Sequence, residues 1–288
     1  MNLSQLVAQE AQRLTHAGVC FGQGTLNAHD EAAWLVLWSL GLPLDTDLAQ
    51  SEPLDDQAIA RAQACIQRRI DSRQPAAYLT REAWLQGVPF YVDERAIVPR
   101  SLIAEVLADG TLDAWLSDQT YRVLDLCTGN GSLAVLSALA WPEVSVVASD
   151  LSHDALEVAR INIERHRLEG RIHLHQGNGF EGLADPFDLI VCNPPYVCEA
   201  RMDQLPAEFR AEPEMALSGG NDGMDFVRRL LRDAPALMNP QAVLVVEIGN
   251  EYAHFVSAFP DLEVVWLDTS AGEDQVFLVT RPALLALS

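Results

Sequence analysis

The stretch Arg122-Val123-Leu124-Asp125-Leu126-Cys127-Thr128-Gly129-Asn130-Gly131-Ser132-Leu133 decides the fold. Val123, Leu124 and Leu126 make a short apolar run closed by a glycine turn, the pattern of a buried strand. Beyond the turn, the apolar segment Leu133–Leu139 predicts a helix. A strand that enters a helix through glycines is the repeating unit of a parallel α/β sheet, whose ligands bind beyond the carboxyl ends of the strands. Gly129 and Gly131 permit a tight turn and a close backbone approach to a ligand. Taken alone, this GxG fits a plain strand–helix turn equally well.

Asp150 adds a second feature at the same edge. It ends the next predicted strand, 19 residues after Gly131. A carboxylate there can accept hydrogen bonds from both hydroxyls of a ribose. The third glycine of a dinucleotide fingerprint is missing, because Gly131 is followed by Ser132-Leu133-Ala134. The pattern therefore favours an adenosine without a pyrophosphate, which points to S-adenosylmethionine over NAD. Asp125, Thr128, Gly129, Gly131 and Asp150 are the candidate cofactor residues. Asn178, after a third strand, is a candidate for the adenine edge, and it also fits a simple loop turn. His173 and His175 alternate on that strand without a Cys or His partner, so no metal site is expected.

The alternation continues outward. The sequence predicts a helix at Ser101–Leu107, strands at Val144–Ser149 and Arg171–His175 around a helix Asp154–Arg167, and a strand Phe187–Cys192. A helix Gly223–Leu237 and strands Ala242–Ile248, Leu262–Trp266 and Gln275–Thr280 complete it. The loop Leu267–Asp274 is too short for a parallel crossover, so the last two strands should pair antiparallel at one edge. Residues 99–288 thus read as an α/β, Rossmann-like domain with a mostly parallel sheet. Residues 1–75 carry Leu3, Leu6, Val7, Leu14 and then Ala33, Leu35, Val36, Leu40 at helical spacing, the second run ending at Gly41-Leu42-Pro43. A third helix runs from Asp55-Asp56 through Ile59, Ala62, Ile66 and Ile70 to Gln74-Pro75. This part is expected to be a small helical domain that recognises substrate. Residues 76–98 are aromatic and β-prone, broken at Gly87 and Pro89, which predicts a hairpin-like connector.

Bulk composition narrows the function classes. Of 288 residues, 41 are acidic and 19 basic, all of the latter arginine, for a net charge of −22. Tight, autonomous nucleic-acid binding needs a cationic footprint that this chain lacks. The charge fits simple solubility, or attraction to a basic protein partner. No apolar run is long enough for a membrane span, and no secretory leader is visible. Cys20, Cys65, Cys127, Cys192 and Cys198 are odd in number and irregularly spaced, as expected for reduced thiols in a cytoplasmic protein.

Asn193-Pro194-Pro195-Tyr196 follows an apolar strand directly. Two prolines cannot continue a central strand, and each restricts the residue before it to extended geometry. The loop is therefore rigid and sits at the edge proposed for the cofactor, which suits a group that must be placed finely. By itself such a loop can hold an exocyclic amine of a nucleobase or an amide of a protein.

Val98-Pro99-Arg100, Asp125–Gly131, Asn193–Tyr196, Glu212-Pro213-Glu214 with Ala216-Leu217, Gly219-Gly220, Asp222-Gly223 and Glu247-Ile248-Gly249 together resemble the HemK-like protein-glutamine methyltransferases, class I S-adenosylmethionine-dependent enzymes. The resemblance covers almost the whole chain. Ala77-Tyr78-Leu79-Thr80, Phe90–Arg95, Phe21–Thr25 and the Ser101-Leu102-Ile103 that follows Arg100 are similar to the branch acting on a basic protein of the large ribosomal subunit. The release-factor branch and the adenine methyltransferases of nucleic acid are the alternatives. The resemblance implies that the Asn193 side-chain oxygen and the Pro194 carbonyl accept the two hydrogens of a glutamine amide. It also implies that Tyr196 packs on the amide plane, that Pro195 and Arg100 help bind substrate, and that Asn193 lies against the cofactor too. Asn178 stands where the family usually has aspartate, and its amide oxygen can still accept a hydrogen bond.

Overall fold

A computed structural model of the chain describes residues 1–49 and 52–287. Three helices open it: α1 (Leu3–His16), α2 (Ala28–Leu40) and α3 (Asp56–Ser72). Each begins on a side chain that accepts an otherwise orphan backbone N–H: Asn2 for α1, Asn27 for α2 and Asp55 for α3. Leu6, Leu14, Leu35, Val36 and Ile66 bury the inner faces in one apolar cluster. A single turn, α4 (Ala76–Thr80), and a small antiparallel hairpin, β1 (Ala83–Leu85) with β2 (Val88–Phe90), lead to the sheet.

The remaining elements follow in chain order. They are α5 (Ile103–Ala108), β3 (Arg122–Leu126), α6 (Ser132–Ala140), β4 (Ser145–Asp150), α7 (His153–Arg165), β5 (Ile172–Gln176) and β6 (Phe187–Cys192). Two short turns, α8 (Glu199–Met202) and α9 (Ala207–Arg210), precede α10 (Asp225–Asp233) and β7 (Met238–Glu247). The chain closes with α11 (Tyr252–Ala258), β8 (Val265–Thr269), β9 (Gly272–Thr280) and α12 (Arg281–Ala286). The seven strands lie in the order β5-β4-β3-β6-β7-β9-β8. The first five are parallel, and β9 runs antiparallel to both its neighbours. One face packs on α5–α7 through Val135, Ile163 and Leu189, and the other on α10–α12 through Leu124, Leu230 and Phe277.

After β3 the chain builds outward to β5, then returns to place β6 on the other side of β3. That reversal is the switch point at which open α/β sheets hold ligands. Register decides what meets there. Leu126 pairs with Ser149 and with Cys192, and Cys192 pairs with Val246. The next residue on each strand path, Cys127, Asp150, Asn193 and Glu247, therefore falls in a single row along the carboxyl edge.

The expected α/β sheet with an antiparallel edge is present, and three local expectations are corrected. Tyr78 and Leu79 are helical, not β: the Tyr78 hydroxyl donates to the Ala96 carbonyl at 2.7 Å and its ring is buried, so packing overrides β-propensity. The strand expected at Leu262–Trp266 is shifted to Val265–Thr269, and β9 begins at Gly272. A tight Ser270-Ala271 turn makes this hairpin, with Trp266 set opposite Phe277. The helix expected to reach Leu237 gives way to a 3₁₀ turn at Ala234–Leu237, because Pro235 cannot donate within an α-helix. All five cysteines are free. Among the described residues, no helix is long and apolar enough to cross a membrane.

Phe277 is fully buried, with its ring 4.6 Å from that of Phe255 and 5.7 Å from that of Trp266. Phe277→Ala is expected to cost about 3–5 kcal/mol in urea unfolding, with a single transition retained. Two separate transitions would show that the β8–β9 hairpin is not part of the cooperative core.

Candidate active site

Three members of the row at the switch point, Cys127, Asp150 and Asn193, line a cavity of about 450 Å³, within the size range of small-molecule sites. Gly129, Asp150, Asn178, Asn193 and Phe226 are among its walls. Asp150 is held rigidly: the Gly129 N–H donates to Oδ2 at 2.9 Å and the Ser152 N–H to Oδ1 at 2.8 Å. Burial raises the Asp150 carboxyl, and these backbone bonds oppose the rise. Each oxygen keeps a further lone pair, so the carboxylate can accept two hydroxyls. Gly131 has φ +81°, and a Cβ there would stand 3.0 Å from that of Ala159, so the turn packs directly on α7. At the cavity's inner wall, Asn130 Nδ2 and Ser149 Oγ are buried without a hydrogen-bond partner. Unsatisfied buried polar atoms are costly, and a polar nucleoside derivative such as S-adenosylmethionine fits this donor and acceptor set.

Asp125 lies elsewhere than expected. It is completely buried beneath the turn and is not on the cavity wall. Its Oδ2 accepts the Thr128 hydroxyl and, at 2.9 Å, the Ala134 N–H, tying both ends of the glycine turn together. Oδ1 has no partner. Burial pushes this carboxyl up to about 7 against the hydrogen bonds that lower it.

A second cleft of about 220 Å³ lies on the other side of the Asn193–Tyr196 loop. Pro194, Tyr196, Arg201, Leu205, Phe209 and Asn250 line it, and Asn193, Ile97, Arg100 and Ala216 are shared with the larger cavity. The two spaces thus meet at Asn193. Among the described residues, no protein group hydrogen-bonds to the Asn193 side chain or to the Pro194 carbonyl. The loop is clasped from behind: a Cβ on Gly223 would come within 2.2 Å of the Tyr196 carbonyl, and one on Gly249 within 2.5 Å of its ring. Tyr196 donates its hydroxyl to Glu247 Oε1 at 3.1 Å. Burial first, then the Glu247 charge, drives this hydroxyl well above a phenol's usual range, so it remains a donor.

Two buried glutamates, quoted in the sequence only as family marks, hold the site's framework. Glu247 accepts the Ser101 hydroxyl at 2.6 Å and the Leu102 N–H at 2.8 Å besides Tyr196. Glu212 accepts both Arg100 guanidinium nitrogens, at 2.6 and 2.7 Å, and the Val98 N–H at 2.9 Å. Arg100, a predicted substrate residue, lies at the cleft, but its fork is already engaged and its Cζ stands 5.4 Å from the Phe209 ring centroid. Nothing local in the sequence marks these carboxylates: Arg100 lies 112 residues from Glu212, and Ser101 and Tyr196 lie 146 and 51 residues from Glu247. Of the other predicted residues, Thr128, Gly129, Asp150, Asn178, Asn193 and Pro195 reach the larger cavity, whereas Pro194 and Tyr196 reach only the cleft. Gly131 is on neither wall. The Asn178 oxygen accepts from Arg229 at 3.3 Å. Cys198, Glu251 and His254 also bring one ligating atom each within 4.8 Å of one another. Glu251 is already engaged there, by His254 at 2.6 Å and Arg201 at 3.3 Å.

Residues 106–246 match the family described as methyltransferase small domain. The chain is 51% identical to the ribosomal protein uL3 glutamine methyltransferase of Bordetella pertussis, over 98% of this chain and 96% of that one. It is 47% identical to the protein of the same description from Neisseria meningitidis serogroup B, over 95% and 91% of the two chains. Among solved structures, the hMettl16 catalytic domain in complex with the MAT2A 3′UTR hairpin 6 superposes with a TM-score of 0.52 at 15% identity, over 78% of this chain and 81% of that one. At that identity the likeness is one of fold.

The raised Asp125 carboxyl has a consequence for stability. A folded-state value near 7 lies above the ordinary carboxylate value of 3.8, so the folded protein retains a proton that the unfolded chain releases. Its contribution is complete at acid pH and is lost as pH rises toward neutrality. The isosteric Asp125→Asn, which keeps the acceptor for Thr128 and Ala134, should therefore gain stability relative to the parent between about pH 5 and about pH 8. Urea unfolding at the two pH values measures the difference; a constant difference contradicts the assignment.

Proposed function

The chain belongs to the ribosomal protein uL3 glutamine methyltransferase family, and we propose that it methylates the side-chain amide nitrogen of a glutamine in uL3, using S-adenosylmethionine. The observation that carries this reading is the junction at Asn193: a cavity suited to an adenosine on one side, a narrower cleft on the other, and, among the described residues, no protein hydrogen bond to the Asn193 side chain or the Pro194 carbonyl. Asp150 would hold the ribose hydroxyls, Asn178 the adenine edge, and Gly129 and Thr128 the wall of the turn. S-adenosylmethionine, when bound, supplies an electrophilic methyl group on a sulfonium.

An amide nitrogen is a weak nucleophile because its lone pair is delocalised into the carbonyl. In this reading the Asn193 side-chain oxygen and the Pro194 carbonyl each accept one N–H of the substrate amide. Two fixed acceptors set the direction of the nitrogen lone pair and stabilise the positive charge it gains on forming the new N–C bond. Once methylated, the cationic nitrogen is strongly acidic and releases a proton to water, so the chain needs no dedicated base. Tyr196 is held by Glu247, closes the cleft behind the amide and keeps bulk water from the acceptors. Pro195 fixes the loop, and Arg100, held by Glu212, shapes the cleft. A glutamine on an extended loop can enter such a cleft; one in a packed core cannot.

The charge distribution supports a basic protein partner. Along the cleft-lining segment 199–216, Glu199, Asp203 and Glu214 are exposed, against the cations Arg201 and Arg210. Together with the net charge of −22, this gives an attractive field for a cationic protein. uL3 methylation should slow steeply in kcat/KM as salt shortens the Debye length from about 30 Å to about 8 Å. A flat salt profile removes electrostatic steering from the account.

Asn193→Ala should lower methyl transfer to uL3 by about a hundredfold or more, with S-adenosylmethionine affinity in calorimetry nearly unchanged. Near-normal turnover by that variant rules out the acceptor role. Purified release factor and bare nucleic acid, assayed alongside with labelled cofactor, should remain unlabelled.

A further inference from the structure

A cluster of buried charges sits where the helical N-terminal part meets the cleft wall. Arg69 on α3 is 1% exposed; its Nε donates to Glu31 at 2.8 Å and its Nη2 to the Cys20 carbonyl at 3.1 Å. Across from it is Glu208 on α9, 2% exposed. Glu208 Oε1 accepts from Arg73 at 3.0 Å and from the Cys20 N–H at 3.2 Å, and Arg69 Nη1 stands 3.6 Å away. Gln23 Nε2 donates to the Glu208 backbone carbonyl at 3.3 Å. Both the side chain and the backbone of this one residue are therefore tied to residues 20–73.

Its neighbour faces the other way. Phe209 lines the cleft, with the Arg100 guanidinium over its ring, and Arg100 is fixed in turn by Glu212. The helix that carries both residues, α9, is four residues long and is preceded by Pro206. A single turn has no stability of its own, so long-range contacts must set its position. A buried carboxylate without its cations would be expensive, which leaves α9 essentially one seat against the helical part.

We propose that Glu208 is a positioning residue for methyl transfer: by pinning α9 to Arg69, Arg73 and Cys20, it fixes Phe209 and Arg100 as the wall of the cleft that receives the amide. The proposal rests on the reading of that cleft as the glutamine site. On this view the helical part acts on the site itself. It sets the shape of the space in which the nitrogen is aligned.

The test uses the full chain, with kcat and KM for uL3, cofactor affinity by calorimetry, and the folded fraction by circular dichroism. Glu208→Ala should lower kcat per folded enzyme by about tenfold to about a hundredfold through misplacement of the amide. The KM for uL3 should change by less than about threefold and the cofactor affinity by less than about twofold. Glu208→Gln keeps an acceptor for Arg73 and Cys20 and should recover most of kcat. Should Glu208→Ala fail to fold, Arg73→Met, at a side chain 33% exposed, carries the test and should lower kcat in the same direction. An unchanged kcat per folded enzyme, a rise confined to KM, or a parallel loss of cofactor affinity would each overturn the proposal. Absence of uL3 methylation by the unsubstituted chain would instead overturn the glutamine reading on which it rests.

Discussion

The hydrogen-bonded register of β4, β3, β6 and β7 is the constraint on which the rest depends. Parallel strands bonded in register bring the ends of distant segments to one line, and here that line is Cys127, Asp150, Asn193 and Glu247. A slip of one residue in any pair would turn that strand's side chains to the opposite face and bury the wrong group. The packed layers on both faces of the sheet forbid such a slip, because Val123, Leu124, Ile190 and Val191 are each fully enclosed. The site is therefore precise for the same reason that the core is dry.

Around this row the molecule spends several buried carboxylates. Desolvating a charge is costly, and a buried ion pair is seldom a net gain over well-packed apolar side chains. What these groups supply instead is a unique arrangement. Glu247 joins the start of α5 to Tyr196, Glu212 joins Val98 and Arg100 to the segment after α9, and Glu208 joins α9 to the helical part. Each connects segments that no strand pairing connects. Together they fix the walls of a cleft whose lining is mostly loop and single-turn helix.

The Asn193–Tyr196 loop shows the same economy at backbone level. Prolines make it stiff, and glycines at 223 and 249 let neighbouring chain approach closer than any side chain would allow. Stiffness and close backing hold Asn193 where the two spaces meet, and among the described residues its side chain and the Pro194 carbonyl have no protein hydrogen-bond partner. Fixed acceptors lose little by reorganising when charge develops before them, the condition for electrostatic catalysis.

Much of this was legible along the chain. The apolar run into Gly129-Asn130-Gly131, the carboxylate at Asp150 and the prolines after Asn193 act through local covalent limits on backbone geometry, and such limits do not depend on the rest of the molecule. The helices of residues 1–72 announce themselves by apolar spacing and, for the third, by Asp55 at its start, whereas the caps Asn2 and Asn27 emerged only in the structure. Tertiary structure decided the remainder. It turned Tyr78 helical, moved β8 to set Trp266 against Phe277, and placed Asp125 under the glycine turn instead of on the cavity wall. It also engaged Arg100 with Glu212, Glu208 with Arg73 and Glu247 with Tyr196. These outcomes depend on burial and on hydrogen bonds between residues far apart in sequence, which set the energy of a polar group only once the chain has closed around it.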